Sequence, residues 1–437
     1  MVAKVAAGQF VCTKCGHQTG KWMGFCSQCR SNGTLERLVA AGRAASVTPI
    51  SAVPLAEAER VSTGLGEIDR ALGGGLVAGS AIVVGGEPGA GKSTLVLQIA
   101  GSMVARGLRV LVVSGEESPA QIAMRASRID GSYDGVELAT SHDVDEVIGL
   151  AERLEPALVV VDSIQTVATV DVEGTPGGVA QVRECGARLV SFAKRSGVPV
   201  VMVGHVTKEG SLAGPRVLEH IVDVVLYLEG DVHSGLRFVR GLKNRFGATP
   251  ALGFLEMGDG GLRELPDPSG VLIAGRDTTA AGKVFFPAID GRRPVVLEVQ
   301  ALVSRSNSPQ PRRSVKGIDA ARLHQVLAVL ERHAGVVVGG YDVYVAIVGG
   351  VRVREPAADL AVALAVASSR LGAPLPAVAA WGEVGLTGEV RNVAGDELRR
   401  SEVGRLGFGT IIAPGGGVSR LTDAMIVAGL DIASAGS

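Results

Sequence analysis

Residues 85–94 read "GGEPGAGKST". Gly86, Gly91, Lys92 and Ser93 stand at the spacing G-x-x-x-x-G-K-[ST], in which a glycine-rich turn lets backbone N–H groups curl around phosphates. In a chain with 61 glycines the bare spacing is weak, so its surroundings decide. "AIVVGG" before it is a buried-strand run, and "KSTLVLQIA" after it opens a helix, which is the strand–loop–helix setting an anion site at a helix N-terminus requires. On that reading Glu87, Pro88, Gly89 and Ala90 form the turn. Lys92 reaches the β- and γ-phosphates, Ser93 offers a hydroxyl to Mg²⁺, and Thr94 closes the nucleotide-binding set.

Working outward, "RVLVVSG", "ALVVVDS" and "VPVVMVGH" are continuous apolar runs, the pattern of central strands buried on both faces. Helix-like segments such as "GVAQVRECGARLVSFAKRSG" lie between them, so residues 61–276 read as a parallel, helix-covered α/β sheet. "DVVLYLEG", "LRFVRGLKNRF" and "PALGFLEM" then follow as hairpin-linked strands with no room for helices. A second unit, 277–437, mixes the strands "KVFFPAI", "PVVLEVQAL" and "YDVYVAIVGG" with the helices "DAARLHQVLAVLERHAG" and "PAADLAVALAVASSRLG". The Pro-containing "SRSNSPQPRRSVKG" reads as an exposed loop within it. Residues 39–60 are small and Ala/Ser/Pro-rich, and read as a linker after a cysteine-bearing module at 1–38.

The sheet places further groups at the phosphate site. "ALVVVDS" runs into Asp162, positioned to hold Mg²⁺ through water. "RVLVVSGEES" ends a strand at Glu116 and Glu117, and a carboxylate at a strand's C-terminal edge faces the γ-phosphate. Glu116 is the expected general base and Glu117 its alternative. The plainer reading is an acidic pair at the N-terminus of the helix in "SPAQIAMRAS".

Cys12, Cys15, Cys26 and Cys29 form C-x₂-C-x₁₀-C-x₂-C. Four thiolates so spaced suit tetrahedral Zn²⁺, and a redox pair is the alternative. A module this small has little other core, so the metal should fold it. Lys14, His17, Lys21 and Trp22 lie on it, available to DNA or to a protein. Cys185 reads as a small core residue.

Bulk composition narrows the partners. The net charge is −1, with 34 Arg and nine Lys among the cations, so nucleic acid would be gripped by local patches and not by a global field. Aromatics are 3% of the chain, which argues against extensive base stacking. No apolar run reaches about 18 residues, and the N-terminus has no apolar core before its first cysteine pair. The expectation is a cytoplasmic protein without a membrane span.

"STGLGEIDRALGGGLVAGSAIVVGGEPGAGKST" resembles the opening of a RecA-type ATPase core. Joined to the four-cysteine module, to "KNRFG", to "HVTKEGSLAGPRVLEHIVDVVLYLEG" and to a C-terminal unit similar to a Lon-protease domain, the whole chain resembles the bacterial RadA/Sms recombination family. The resemblance implies an ATP-dependent DNA helicase of repair and recombination. It would assemble as a homo-hexameric ring, bind single-stranded and branched DNA, and drive branch migration alongside a RecA-type recombinase, with ATP, Mg²⁺ and Zn²⁺ as cofactors. It places Lys243 and Arg245 of "GLKNRFGATP" towards the neighbouring protomer's γ-phosphate, or between that site and DNA. Residues i and i+2 of a strand share a face, so both cations point one way and Asn244 the other. Phe246 and Gly247 would pack and turn the strand end. Two solvated charges at a hairpin end are the plainer reading.

The same resemblance assigns "TVATVDVEGTPGGVAQVR" and "TKEGSLAGPR" to the ring's central loops, with Lys208, Arg216 and Arg183 on DNA phosphates and His205 and Thr207 sensing nucleotide state. In the Lon-like unit Ala357 stands where the nucleophilic Ser would be and Glu397 where the Lys would be, so proteolysis is not expected. That unit would serve hexamerisation or DNA binding, with Arg305, Arg312, Arg313 and Lys316 either a DNA-contacting patch or a solvated loop. The other readings are an ATP switch for DNA affinity without translocation, an ATP-dependent protease, and a KaiC-like phosphorylation switch.

Overall fold

The structure, a computed structural model, describes residues 10–37, 49, 51, 60–205, 215–230, 235–247, 252–273, 280–291 and 293–430, with the backbone alone for Pro215 and Arg216. Most of the expected linker and the expected boundary at 276 lie outside them. The chain divides into two units, 1–57 and 58–437. In the first, Phe10–Cys12 pairs antiparallel with Gln18–Thr19 and with Leu35–Arg37. Its core is little more than Cys12, Cys26 and Leu35, too few apolar groups to hold a fold by burial alone.

The second unit is built on a nine-stranded sheet. Six strands are parallel, in the order Val224–Gly230, Ala81–Gly86, Val200–Val203, Leu158–Asp162, Val110–Ser114 and Val136–Thr140. Leu236–Asn244, Gly253–Gly258 and Gly261–Glu264 extend it as an antiparallel meander. The apolar runs split by period two. Ile82, Val84, Val112, Val160 and Val201 pack beneath the helices Gly66–Leu72 and Lys92–Val104. Val83, Leu111, Val159 and Met202 pack beneath Val144–Leu154 and Val179–Ser196. Burial on both faces is why these strands read as unbroken hydrophobic sequence.

Two elements of this layer had no such signature. Val136–Thr140 is an edge strand of half-buried and exposed residues. Val144–Leu154 is a helix capped at its start by the Asp143 side chain, which accepts from the Asp145 N–H, with Val144, Val147 and Ala151 on its buried side.

The C-terminal part forms a six-stranded sheet in the order Arg313–Lys316, Tyr341–Ile347, Arg293–Arg305, Lys283–Asp290, Val378–Ala380 and Thr410–Ile412. The alanine-rich helix Asp359–Leu371 is buried from Asp359 to Ser368. The loop expected in "SRSNSPQPRRSVKG" is only partly a loop. Arg313–Lys316 pairs in parallel with Tyr341–Ile347, and its alternation of half-buried and exposed residues is that of an edge strand. The two sheets share one core: Phe238, Leu252 and Phe254 of the meander cluster with Val295, Leu297, Val351 and Val353.

Candidate nucleotide site and metal-binding ribbon

The phosphate loop joins Ala81–Gly86 to the helix Lys92–Val104, at the C-terminal edge of the parallel strands. Gly91 is the residue before that helix, with φ 102°, and a Cβ there would lie 2.6 Å from Met257 Cε. Its left-handed backbone favours glycine, and the Met257 methyl at the tip of a flexible side chain would have to move aside for any Cβ. Lys92 is 4% exposed, and its ammonium donates to the carbonyls of Gly86 at 2.9 Å and Glu87 at 3.0 Å. Burial lowers its pKa, against the pull of Asp162 and Glu116, whose carboxylates favour the charge.

Asp162 ends its strand beside Ser93. Burial raises its pKa, and a hydrogen bond from Ser93 acts in the opposite direction. Its Oδ1 is buried with no hydrogen-bond partner among the described residues. An unpaired buried carboxylate oxygen next to a hydroxyl is a donor set that fits a hard divalent cation such as Mg²⁺.

The structure separates the two glutamates. Glu117 pairs with Arg125 of the helix Pro119–Ala126, which Ser118 and Gln121 close with a capping box. Glu116 turns the other way: Ser163 Oγ donates to its Oε1, and His205 Nε2 lies 3.3 Å from the same oxygen. Gln165 Nε2 donates to the His205 carbonyl at 3.1 Å. Lys92, Ser93, Asp162, Glu116 and His205 thus converge on one end of the sheet. Ser163 and Gln165 join them without having been expected, because a polar residue after a strand end carries no sequence signal of its own.

"GLKNRFG" lies at the opposite end. Asn244 pairs with Val224, and the Asp223 N–H donates to the Ala81 carbonyl, whereas the phosphate loop begins where Gly86 pairs with Leu228. That separation along the strand is about 13 Å. The register shifts between Val225 and Leu226, leaving Leu242 as the extra residue of a β-bulge on the facing strand. Lys243 Nζ donates to the carbonyls of Glu219 and Val222, the latter at 2.8 Å, and burial lowers its pKa. Arg245 reaches the His220 carbonyl and lies 3.6 Å from Asp223. Asn244 Nδ2 donates instead to the Leu72 carbonyl, so the two cations share a side and Asn244 takes the other. Phe246 packs against the core beneath Lys194.

Of the residues assigned to DNA, Lys208 lies outside the described residues, as does Thr207, and Arg216 is described in backbone only. Arg183 is exposed on the helix Val179–Ser196. Arg312 is exposed, but the Arg313 guanidinium is taken up by the carbonyls of Val338 and Tyr341 and so braces its own sheet.

The two positions that the Lon-like resemblance sets against a protease dyad lie in different surroundings. Ala357 is 1% exposed in the turn Pro356–Ala358, while Glu397 is exposed on the helix Asp396–Arg405. Between these elements the buried Arg399 pairs with Glu355 and donates to the Pro287 carbonyl.

In the N-terminal unit the four cysteine Sγ atoms lie within 4.8 Å of one another, with Cys12–Cys29 and Cys15–Cys26 both at 3.6 Å. A tetrahedron with Zn–S bonds of 2.3 Å has edges of roughly 3.8 Å. Cys12, Cys15, Cys26 and Cys29 therefore fit Zn²⁺.

Comparison with known proteins decides the family. A DNA repair protein RadA of Mycobacterium tuberculosis is 44% identical over 423 residues, covering 94% of this chain and 88% of its own. Those of Bacillus subtilis and Escherichia coli are each 43% identical, covering 93% and 98% of this chain and 92% and 99% of theirs. The chain belongs to the RadA family of DNA repair proteins. Residues 49–211 match a family described as an AAA domain, and residues 10–37 one described as a rubredoxin metal binding domain. Its fold is a RecA-like P-loop ATPase core with an N-terminal zinc ribbon and a C-terminal α+β domain. A solved KaiC-like protein from Pyrococcus horikoshii aligns over 48% of this chain and all of its own, at 20% identity and a TM-score of 0.41. No helix among the described residues is long and apolar enough to cross a membrane.

Proposed function

We propose that this RadA-family chain is a DNA-stimulated ATPase that remodels recombination intermediates as a ring of six protomers on single-stranded DNA. The observation that carries the reading is the convergence of Lys92, Ser93, Asp162 and Glu116 on one strand edge, with Asp162 Oδ1 buried and unpaired beside Ser93. Ser93 and Asp162 would hold Mg²⁺, which supplies charge neutralisation on the phosphate oxygens. Lys92 binds the β- and γ-phosphates. The Glu116 carboxylate takes the proton of the attacking water, and Ser163 fixes its orientation by donating to Oε1.

Lys243 and Arg245 lie at the far end of the sheet from their own loop, which favours a role at a neighbouring protomer's nucleotide. Branch migration, helicase action and work beside a RecA-type recombinase in the cytoplasm belong to the same proposal. The Lon-like domain serves assembly or DNA contact without proteolysis, since Ala357 carries no nucleophile. The test is ATP hydrolysis with and without single-stranded DNA, followed by strand displacement on a forked substrate. Stimulated hydrolysis with displacement is expected, whereas stimulation without displacement replaces the motor by an ATP-gated switch of DNA affinity.

A further inference from the structure

Arg237, in the strand Leu236–Asn244, is 5% exposed. A buried guanidinium persists only where its N–H groups are satisfied. Here Nη1 donates to the Leu236 carbonyl at 2.9 Å, and Nε donates to the carbonyl of Ala90 at 3.1 Å. Ala90 is the phosphate-loop residue before Gly91. The only cis peptide among the described residues is Asp162–Ser163, so the Ala90–Gly91 peptide is trans. In a planar trans peptide the C=O and the N–H point in opposite directions. Holding the Ala90 carbonyl on Arg237 therefore aims the Gly91 N–H away from Arg237.

A loop with glycines at 89 and 91 has little of its own to prevent that peptide from turning over. The constraint has to come from outside the loop, and the sheet makes room for it. At Gly230, on the neighbouring strand, a Cβ would lie 2.3 Å from Arg237 Cδ and 2.8 Å from its Nε. Only a residue without a side chain leaves the arginine its path to Ala90.

We propose that Arg237 is a positioning residue for the nucleotide site: by holding the Ala90 carbonyl outward it keeps the Gly91 N–H directed into the phosphate cradle. The inference rests on the reading of residues 86–94 as an ATP site. Arg237 reaches the phosphates only through the loop it braces. Its removal therefore weakens nucleotide binding and raises KM, and lowers kcat at saturating ATP to a smaller extent.

The test measures MgATP affinity of the full-length chain by titration with a fluorescent ATP analogue, alongside KM, kcat and thermal melting, for the wild type, Arg237→Leu, Arg237→Lys and Gly230→Ala. Arg237→Leu is expected to weaken binding at least about tenfold, the consequence of leaving a buried carbonyl unpaired. Arg237→Lys, which can still donate to Ala90, should recover most of that loss. Gly230→Ala, which keeps the arginine but displaces it, should behave like Arg237→Leu and remains informative if that variant does not fold. Wild-type affinity in both Arg237→Leu and Gly230→Ala overturns the proposal. So does a loss that follows the melting temperature and is not relieved in Arg237→Lys. A wild-type chain that fails to bind MgATP overturns the nucleotide reading itself, a distinct result.

Discussion

Glu117 is paired with Arg125, whereas its neighbour Glu116 receives the Ser163 hydroxyl and faces His205. Two consecutive carboxylates that sequence alone could not tell apart are thereby divided. Glu116→Gln should lower ATP turnover by roughly 10²–10⁴-fold, the span of a lost general base, while nucleotide binding persists. Glu117→Gln should keep turnover within a few-fold of wild type. Steady-state hydrolysis with a parallel nucleotide-binding titration measures both, and equal losses in the two variants would remove Glu116 from the role.

Lys243 and Arg245 act, on the proposed reading, on a nucleotide other than their own. Lys243→Ala or Arg245→Ala should leave the assembly intact by light scattering and still allow MgATP to bind. Remodelling of a forked DNA should fall at least about tenfold per ATP hydrolysed. Remodelling at wild-type efficiency in both variants rejects the assignment.

The four-cysteine ribbon has almost no apolar core, so its folding free energy should come from the metal. One zinc per chain is expected by elemental analysis. A strong chelator, or Cys26→Ser, should abolish the dispersed amide resonances of residues 10–37. A ribbon that keeps them without zinc would show that burial suffices.

Asp267 and Arg405 join the end of the ATPase meander to the helix Asp396–Arg405 through two hydrogen bonds, at 2.9 and 3.0 Å. The Arg405 guanidinium is the largest of the influences that lower the Asp267 pKa. A carboxylate with a depressed folded-state pKa contributes stability above its unfolded value of about 3.9, and loses it as pH falls through the folded one. Both side chains are half exposed, so solvent screening leaves about 0.5 kcal/mol. Asp267→Asn, which removes the charge and leaves the Arg405–Glu402 pair in place, should lower urea stability by that amount at pH 6. The deficit should vanish as the pH is taken well below 4, and a deficit independent of pH would mean that the pair contributes by packing.

The phosphate loop, Asp162 and the central strands were legible because each depends on local sequence: a glycine spacing, an acidic strand end, an unbroken apolar run. Val136–Thr140 was not legible, since an edge strand half open to water lacks such a run. Val144–Leu154 was not legible either: Val144, Val147 and Ala151 stand at helical spacing, but a polar surface dilutes the pattern. Arg237 had no signal at all. Its meaning comes from Ala90, 147 residues earlier, and only the folded sheet brings the two together.

Glu67, 3% exposed near the start of the helix Gly66–Leu72, accepts from the Phe254 N–H at 2.9 Å and from Arg293 at 2.6 Å. Arg293 belongs to the C-terminal domain and also lies over the Phe254 ring. Removing that domain would strip a buried carboxylate of its nearer counter-charge, leaving only Arg70 at 3.6 Å among the described residues, and lay bare the apolar side of Phe238 and Phe254. The ATPase segment expressed alone should therefore be aggregation-prone, and heating residues 58–437 should give a single cooperative calorimetric peak. Through the core they share, the C-terminal domain would then act as a folding partner of the ATPase core.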